Sequence, residues 1–460
     1  MTFDVDLVVA GAGGGLTAAI RAAELGLDVL VVDSDPNFRR GNNTSMSTAM
    51  IPGPGSRFQA QAGIEDSPER FIADIARKTG GTADPRIAAA LAHAGAELVE
   101  WLADHVGMPI ELPTDFGYPG HSAPRVHSVP GRHGSSLLRH LLEAVERSER
   151  IDLMVPARLT GVDARDGGRI AVVETPDGGR EEISARAVLL ATNGYGADRE
   201  LVAQHLPEIA GAHYHGGEHS RGDALRIGAD LGAATGFLDA YQGHAALSAS
   251  AQTLVTWTAV MHGGAVVDSG GERFGDETTG YSEYAATLAA RPGGRGWLVF
   301  DERIDGLCRA FGDYQDVLAA GAVRSADSLP ELAAAIGVPA APLEAEIAAL
   351  AQVEAGEADR FGRTTATPLR APFRAVEIIP ALFHTQGGLL VDEHARVLDT
   401  TGDPIPGLYA AGGAAAGISG HGAAGYLAGN GLLPALGLSY LAAGHLARSL
   451  SATPTPEGAR

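Results

Sequence analysis

The chain has 460 residues, and 34 basic against 56 acidic side chains leave a net charge of −22; at about 100–200 residues per domain it holds two or three domains, or one core with a large insertion. Hydrophobic residues at 45% and charged residues at 20% describe a globular chain and not a disordered one. The charge disfavours nucleic acid and anionic membrane surfaces as partners, and the single cysteine, Cys308, excludes an intrachain disulfide or thiolate metal site and fits a reducing cytosol.

The N-terminus, Met1 to Asp6, is acidic where an export signal would be basic, so a cytoplasmic location is expected. Val5 to Ala10 is a short apolar run that predicts a buried strand. Gly11-Ala-Gly-Gly-Gly15 follows as a tight turn, Leu16 to Leu25 has helical spacing, and Leu30-Val-Val-Asp33 is a second strand ending in an acid. Strand, glycine turn, helix, strand, acid is the order of a dinucleotide-binding βαβ unit. There the turn admits a pyrophosphate to backbone N–H groups, and the acid bonds a ribose hydroxyl. One departure is visible: counted from Gly11, the sixth position of GxGxxG is Leu16, so the loop is a residue short.

Farther along, His121, Arg125, His127, Arg132 and His133 form the one dense cationic group of an acidic chain, either a solvated loop or a seat for a carboxylate or pyrophosphate. Leu137 to Val145 predicts an amphipathic helix, residues 151–183 predict hairpin-like strands, and Ala187-Val-Leu-Leu-Ala-Thr-Asn-Gly194 predicts a buried strand ending in a turn. From about Tyr241 to Arg363 the texture changes to short strands and helices. Gly387 to Val391 and Gly407 to Gly412 then restore strands and glycine turns. The expected organisation is α/β: a Rossmann-like nucleotide domain in two parts, 1–238 and 367–460, interrupted by an α+β capping domain at 239–366.

A second GxGxxG, Gly420 to Gly425, is followed by no strand ending in an acid, so one nucleotide site is expected. Between Asp403 and Arg448 no residue is charged, yet glycines with His421, Asn430, Pro434 and His445 deny that stretch the roughly 18 apolar residues of a membrane span. No HExxH, cysteine–histidine pairing or GxSxG elbow points to a metal site or a hydrolase.

Val8-Val-Ala-Gly-Ala-Gly-Gly-Gly15, Ala191-Thr-Asn-Gly194, His384-Thr-Gln-Gly-Gly388 and Pro404-Ile-Pro-Gly-Leu-Tyr-Ala-Ala-Gly412 stand in the order of the FAD-binding subunits of the fumarate reductase/succinate dehydrogenase superfamily, which this chain resembles over nearly its whole length. The resemblance implies a GR2-type FAD domain with a cap closing over the isoalloxazine. It assigns cofactor contacts to Gly11, Gly13, Gly14, Gly15, Asp33, Ser34, Asn43, Thr44, Ser45, Ala191, Thr192, Asn193, Gly194, His384, Gly412 and Asn430. Asn42 to Ser45 lacks the histidine of the covalently flavinylated members, so non-covalent FAD is expected.

Fumarate reductases protonate substrate with an arginine and grip its carboxylates with another arginine and two histidines. Here Asp276-Glu-Thr-Thr-Gly-Tyr281 has tyrosine in place of the first arginine, Tyr426 in place of the second, and Phe383 in place of one histidine; His244 alone retains its counterpart. A buried dicarboxylate would be left unpaired. The replacements resemble 3-ketosteroid dehydrogenases, which implies Tyr281 as base for the proton α to a ketone and Tyr426 with Gly429 or Gly431 as donors to the carbonyl oxygen; Tyr118, in the Pro113–Gly120 turn region, is a candidate helper through a hydrogen bond. Removing hydrogen from a C–C bond beside a ketone needs a base, donors for the enolate oxygen, and an acceptor for the β-hydride, here flavin N5. The expected activity is therefore desaturation of a cyclic ketone, steroid-like or small. If Arg125 or Arg132 lines the pocket, a keto acid such as 4-oxocyclohexanecarboxylate is attractive, with His244 and Phe383 also at the substrate. The electron acceptor is a quinone, a carrier protein or O2. Two alternatives stand beside it: the reverse reaction on an enone or enoate, and a non-catalytic FAD-binding subunit, in which Tyr281 and Tyr426 are packing residues.

Overall fold

A computed structural model describes residues 2–114, 117–118, 120–353, 357–364 and 367–452. The chain divides into two compact units. The first comprises Met1–His205, Gly216–Tyr241 and His384–Arg460, and the second Leu206–His215 and Gln242–Phe383.

The first unit is built on an eight-stranded sheet in which Val5–Ala10 lies between Val29–Val32 and Arg180–Leu190, paired in parallel with both; Val8 faces Leu30 on one side and Val188 on the other. Pro404–Ala410 joins in parallel outside Arg180–Leu190, and Ile151–Met154 in parallel outside Val29–Val32. Arg158–Arg165 and Gly168–Glu174 form an antiparallel hairpin that continues onto Arg180–Leu190. Runs such as Val8-Val9 and Val188-Leu189-Leu190 are apolar without alternation because both faces of these strands are covered, and their residues are fully buried. The helices Gly15–Glu24, Pro85–Trp101 and Leu432–Ala452 supply Leu16, Leu91, Leu98, Leu433 and Leu436 to that core. Pro85–Trp101 starts where Asp84 accepts the Arg86 N–H and Pro85, which has no N–H to satisfy, takes the first turn.

In the second unit a six-stranded sheet runs Tyr241–Ser248, Phe373–Thr385, Gly296–Asp301, Ala265–Val267, with Val323–Ala326 and His213–Tyr214 also on Phe373–Thr385. Helices Leu329–Ile336 and Ala340–Leu350 lay Leu332, Ile336, Leu343 and Ile347 onto Val267, Val299 and Ala375. This unit reaches beyond the expected 239–366 interval. The reason is the 13-residue strand Phe373–Thr385: its pairings hold residues 373–383 in the second unit and draw in 206–215, because His213 pairs with Ala381. Among the described residues no helix is long and apolar enough to cross a membrane.

Candidate active site

The nucleotide-binding elements of the first unit come from loops at the C-terminal ends of its parallel strands. Gly11, just past Val5–Ala10, has φ +115°, and a Cβ there would lie 2.2 Å from the Ala191 carbonyl oxygen; no other residue allows the two turns to approach so closely. Helix Gly15–Glu24 then presents its N-terminus after Gly13 and Gly14. Asp33 accepts the Ala12 N–H at 2.6 Å and the Asp35 N–H at 2.8 Å. Burial raises its carboxyl above the ordinary value, opposed by those two amide bonds. The Asp33 carboxylate thus braces the glycine turn as well as standing where a ribose is expected. Ser34 bonds His219, Asn43 accepts the Gly217 N–H at 2.6 Å, and Asn42 caps the turn holding Thr44 and Ser45. At the end of Arg180–Leu190, Asn193 is held at φ +62° and donates to Ser220, and Gly412 occupies the next turn, after Pro404–Ala410.

A second set of first-unit residues gathers around Tyr426 and His384. Tyr426 is 9% exposed. Burial raises its hydroxyl above the ordinary phenol range, and the Gly431 N–H directed at it opposes that effect only in part, so the phenol stays protonated at neutral pH. That amide is one of the two expected at the substrate oxygen, and it lies toward the Tyr426 hydroxyl. Gly429, at φ +92° with Pro52 2.3 Å from where a Cβ would stand, shapes the loop. His384 meets the Tyr426 ring edge-on at 5.9 Å, and burial pushes its imidazolium down to about 4. Gln386 bonds His384 Nδ1 at 3.0 Å, Ser419 donates to Gln386 Oε1 at 2.9 Å, and Asn430 donates to Ser419 at 3.0 Å. Tyr118 packs with Val126 and Ala428, two residues beyond Tyr426.

The cationic group does not survive as a patch. Arg125 is buried and forms a two-pronged pair with Asp66, 2.7 and 2.8 Å, and a further pair with Asp74, so its charge is already matched twice and it offers no seat for a substrate carboxylate or pyrophosphate. His121 and His127 are each pushed down to about 4, chiefly by burial. His133 caps helix Gly134–Glu146 through the Ser135 N–H. Arg132 is half-buried in the preceding turn at φ +50°.

The second unit contributes an aromatic cluster. Tyr281 opens helix Tyr281–Ala289, and the next residue, Ser282, accepts the Gly243 N–H at 3.0 Å. That bond sets Tyr281 beside His244, with ring planes 19° apart and centroids 4.8 Å apart. Phe383 stacks on the same imidazole at 5.5 Å and also meets His215 at 5.1 Å. Burial, with a smaller push from His215, takes His244 down to about 3. Its Nδ1 accepts the Ala246 N–H, which leaves the proton on Nε2. Glu277 of the Glu-x-x-x-Tyr segment is fully buried, bonding Arg273 at 2.8 and 2.7 Å, Arg363 at 3.1 Å and the Val266 N–H, and so anchors the turn that precedes Tyr281.

Sequence reasoning missed Gln386, Ser419, Asp66, Asp74 and the arginine partners of Glu277. Gln386 was findable, because residues i and i+2 of an extended segment share a face and His384 was already singled out. Arg273 stands four residues before Glu277, a spacing at which ion pairs recur, whereas Asp66, Asp74 and Arg363 meet partners more than 50 positions away.

A glycine turn between parallel strands, leading into a helix and followed by a strand that ends in Asp33, is the pattern of a dinucleotide-binding protein. A model of the FAD binding domain family matches residues 6–432, and the chain belongs to that family, with FAD as its cofactor. It is 30% identical over 431 residues to the NADH:fumarate oxidoreductase of Klebsiella pneumoniae (strain 342), covering 90% of this chain and 45% of that one. It is 28% identical over 542 residues to the 4-oxocyclohexanecarboxylate 2-dehydrogenase of Sinomonas cyclohexanicum, covering 92% of each. A solved structure of the 3-ketosteroid delta1-dehydrogenase from Sterolibacterium denitrificans superposes with a TM-score of 0.76 at 23% identity, over 97% of this chain and 99% of the other, and shows the same fold. The chain thus spans about half the length of the Klebsiella relative and nearly all of the Sinomonas one.

The first unit fits FAD on its own evidence. Thr192 Oγ1 and Asn430 Oδ1 are buried with no partner among the described residues, a cost that the N–H and O–H groups of a dinucleotide cofactor would remove.

Proposed function

We propose that this protein is an FAD-dependent dehydrogenase that introduces a C=C bond α,β to the carbonyl of a cyclic ketone. One observation carries the reading. At the four positions where the resembling fumarate reductases grip a dicarboxylate, this chain places Tyr281, Tyr426, Phe383 and His244, of which the last is held neutral. No full positive charge is offered there, so a ligand whose oxygen is neutral on binding is favoured over a dianion.

Tyr426, kept protonated by burial, donates to the ketone oxygen and stabilises the negative charge that grows there as the α-proton leaves. Tyr281 takes that proton in its phenolate form, its own proton having passed to solvent beforehand, so the phenol is restored as the enolate forms; His244 and Phe383 fix the plane of its neighbourhood through stacking. Bound FAD supplies the two-electron acceptor that loss of the β-hydrogen requires. Asn42 to Ser45 presents no histidine for covalent attachment, so the cofactor is held by contacts alone. Arg125 is consumed by Asp66 and Asp74, so it is not proposed for a substrate carboxylate. The Sinomonas relative, matched along nearly its whole length, supports a small cyclic keto acid over a steroid. Electrons then pass to a quinone, a carrier protein or O2.

The Klebsiella relative supports a second reading, reduction of an enone or enoate. Anaerobic mixing of the holoenzyme with saturated cyclic ketones, 4-oxocyclohexanecarboxylate first, decides between them: bleaching of the oxidised flavin supports desaturation. Bleaching by no ketone, with reoxidation of reduced enzyme by enones, supports reduction. Tyr281→Phe and Tyr426→Phe are each expected to slow bleaching by about 10²–10³-fold with FAD still bound; unchanged rates would leave only a non-catalytic role.

A further inference from the structure

The chain of side chains behind His384 has a direction. Asn430 Nδ2 donates to Ser419 Oγ at 3.0 Å, so the Ser419 hydroxyl proton goes to Gln386 Oε1 at 2.9 Å. Gln386 has then used its carbonyl as an acceptor, and its amide nitrogen, 3.0 Å from His384 Nδ1, is the donor. An imidazole that accepts at Nδ1 and is neutral carries its hydrogen on Nε2. The competing acceptor for an Nδ1 hydrogen, the Thr385 carbonyl, is 3.4 Å away, and using it would turn that N–H against the Gln386 amide. Ser419, Asn430 and Gln386 are 1%, 0% and 5% exposed, so water does not substitute for any link.

The far end of the imidazole points to one place. A methyl group built on Gly431 would lie 3.0 Å from His384 Nε2 and 3.9 Å from the Tyr426 hydroxyl, so the lack of a side chain at Gly431 lets both polar atoms approach the same stretch of backbone. We propose that Gln386 is a positioning residue that holds His384 as a neutral Nε2–H donor, and that His384 and Tyr426 together receive the substrate's carbonyl oxygen. This rests on the desaturase reading and deepens it by naming the group recognised. Two neutral donors bind an uncharged ketone oxygen modestly and an enolate oxygen strongly, which places the gain in the transition state, where it accelerates the reaction. His384 thereby moves from the cofactor contact implied by resemblance to the substrate oxygen.

The test uses FAD-loaded enzyme labelled with ¹⁵N-histidine, the His384 signals being identified by their loss in His384→Gln. The expected spectrum shows Nδ1 without hydrogen and Nε2 with it; a protonated Nδ1 in the wild type overturns the proposal. Binding of 4-nitrophenolate, a planar mimic of the enolate, is then followed by calorimetry. Gln386→Met, and independently Ser419→Ala in case the first variant folds poorly, should weaken it roughly tenfold and populate the other tautomer, against about 10²–10³-fold for loss of a direct donor to a developing oxyanion. Unchanged affinity in both variants overturns the proposal. Neither readout needs turnover, so a wild type whose flavin no ketone bleaches would sink the desaturase reading while the tautomer and the phenolate affinities judge the relay separately.

Discussion

Arg125 gives the sharpest separation between a structural and a substrate-binding role. Its guanidinium is 0% exposed and spans Asp66, 0% exposed, and Asp74, 1% exposed. Its plane also lies 5.0 Å over the Phe71 ring. Replacing it with methionine keeps most of the volume but leaves two buried carboxylates short of their cation. Breaking one side of a buried pair costs about 3–5 kcal/mol. At roughly 2 °C per kcal/mol for a unit of this size, the Tm of Arg125→Met is expected to fall by about 6–10 °C at pH 7. The effect has a definite pH dependence. Burial alone would raise the Asp74 carboxyl; the Ser122 N–H, the Arg125 guanidinium, the Ser122 hydroxyl and Arg77 outweigh it and hold it at about 2, below its reference of 3.8. A depressed carboxyl stabilises the fold above its unfolded value and loses that contribution as pH falls toward about 2. The wild-type advantage over Arg125→Met is therefore widest at neutral pH and narrows below about pH 4. Thermal unfolding of the holoenzyme at pH 7, 5 and 3.5 reads it directly. A variant with unchanged Tm and a raised KM for a keto acid would refute the structural assignment and return Arg125 to the substrate.

Two further outcomes test the halves of the site. Thr192→Val removes a buried hydroxyl that has no partner among the described residues, so FAD-free protein should be as stable as wild type or more so, while FAD affinity drops by about tenfold if that hydroxyl serves the cofactor; equal affinity measured by flavin fluorescence would remove Thr192 from the cofactor set. Glu277→Gln leaves Arg273 and Arg363 short of a buried counter-charge, and urea unfolding should show a loss of about 3 kcal/mol together with slower flavin reduction through the displaced turn before Tyr281; an unshifted midpoint would deny the anchor.

What could be read from the sequence follows from how local each signal is. The turn Gly11 to Gly15, its flanking strands and Asp33 lie within one βαβ unit, and their roles depend on neighbours a few residues away, so their pattern carried over into structure. Tyr281 and Tyr426 were singled out by comparison of motifs, because a tyrosine where an arginine is normal changes charge as well as shape. The patch at 121–133 misled because linear charge density says nothing about counter-ions: Asp66 and Asp74 stand 59 and 51 positions from Arg125 and neutralise it. The end of the cap was placed at 366 for a related reason. Phe373–Thr385 carries an ordinary strand signature, and only its pairing with Gly296–Asp301 and Val323–Ala326 shows which sheet owns it.

The order of strands in the nucleotide sheet has a bearing on biosynthesis. Val5–Ala10 has as neighbour Arg180–Leu190, which in turn waits for Pro404–Ala410, and helix Gly15–Glu24 packs against Leu432–Ala452. A ribosome releases the last of these segments only after more than 400 residues, so the nascent protein carries an unfinished, apolar sheet for most of its synthesis. Chaperone demand during translation should accordingly be high, and stable flavin loading should wait for the Pro404–Ala410 strand.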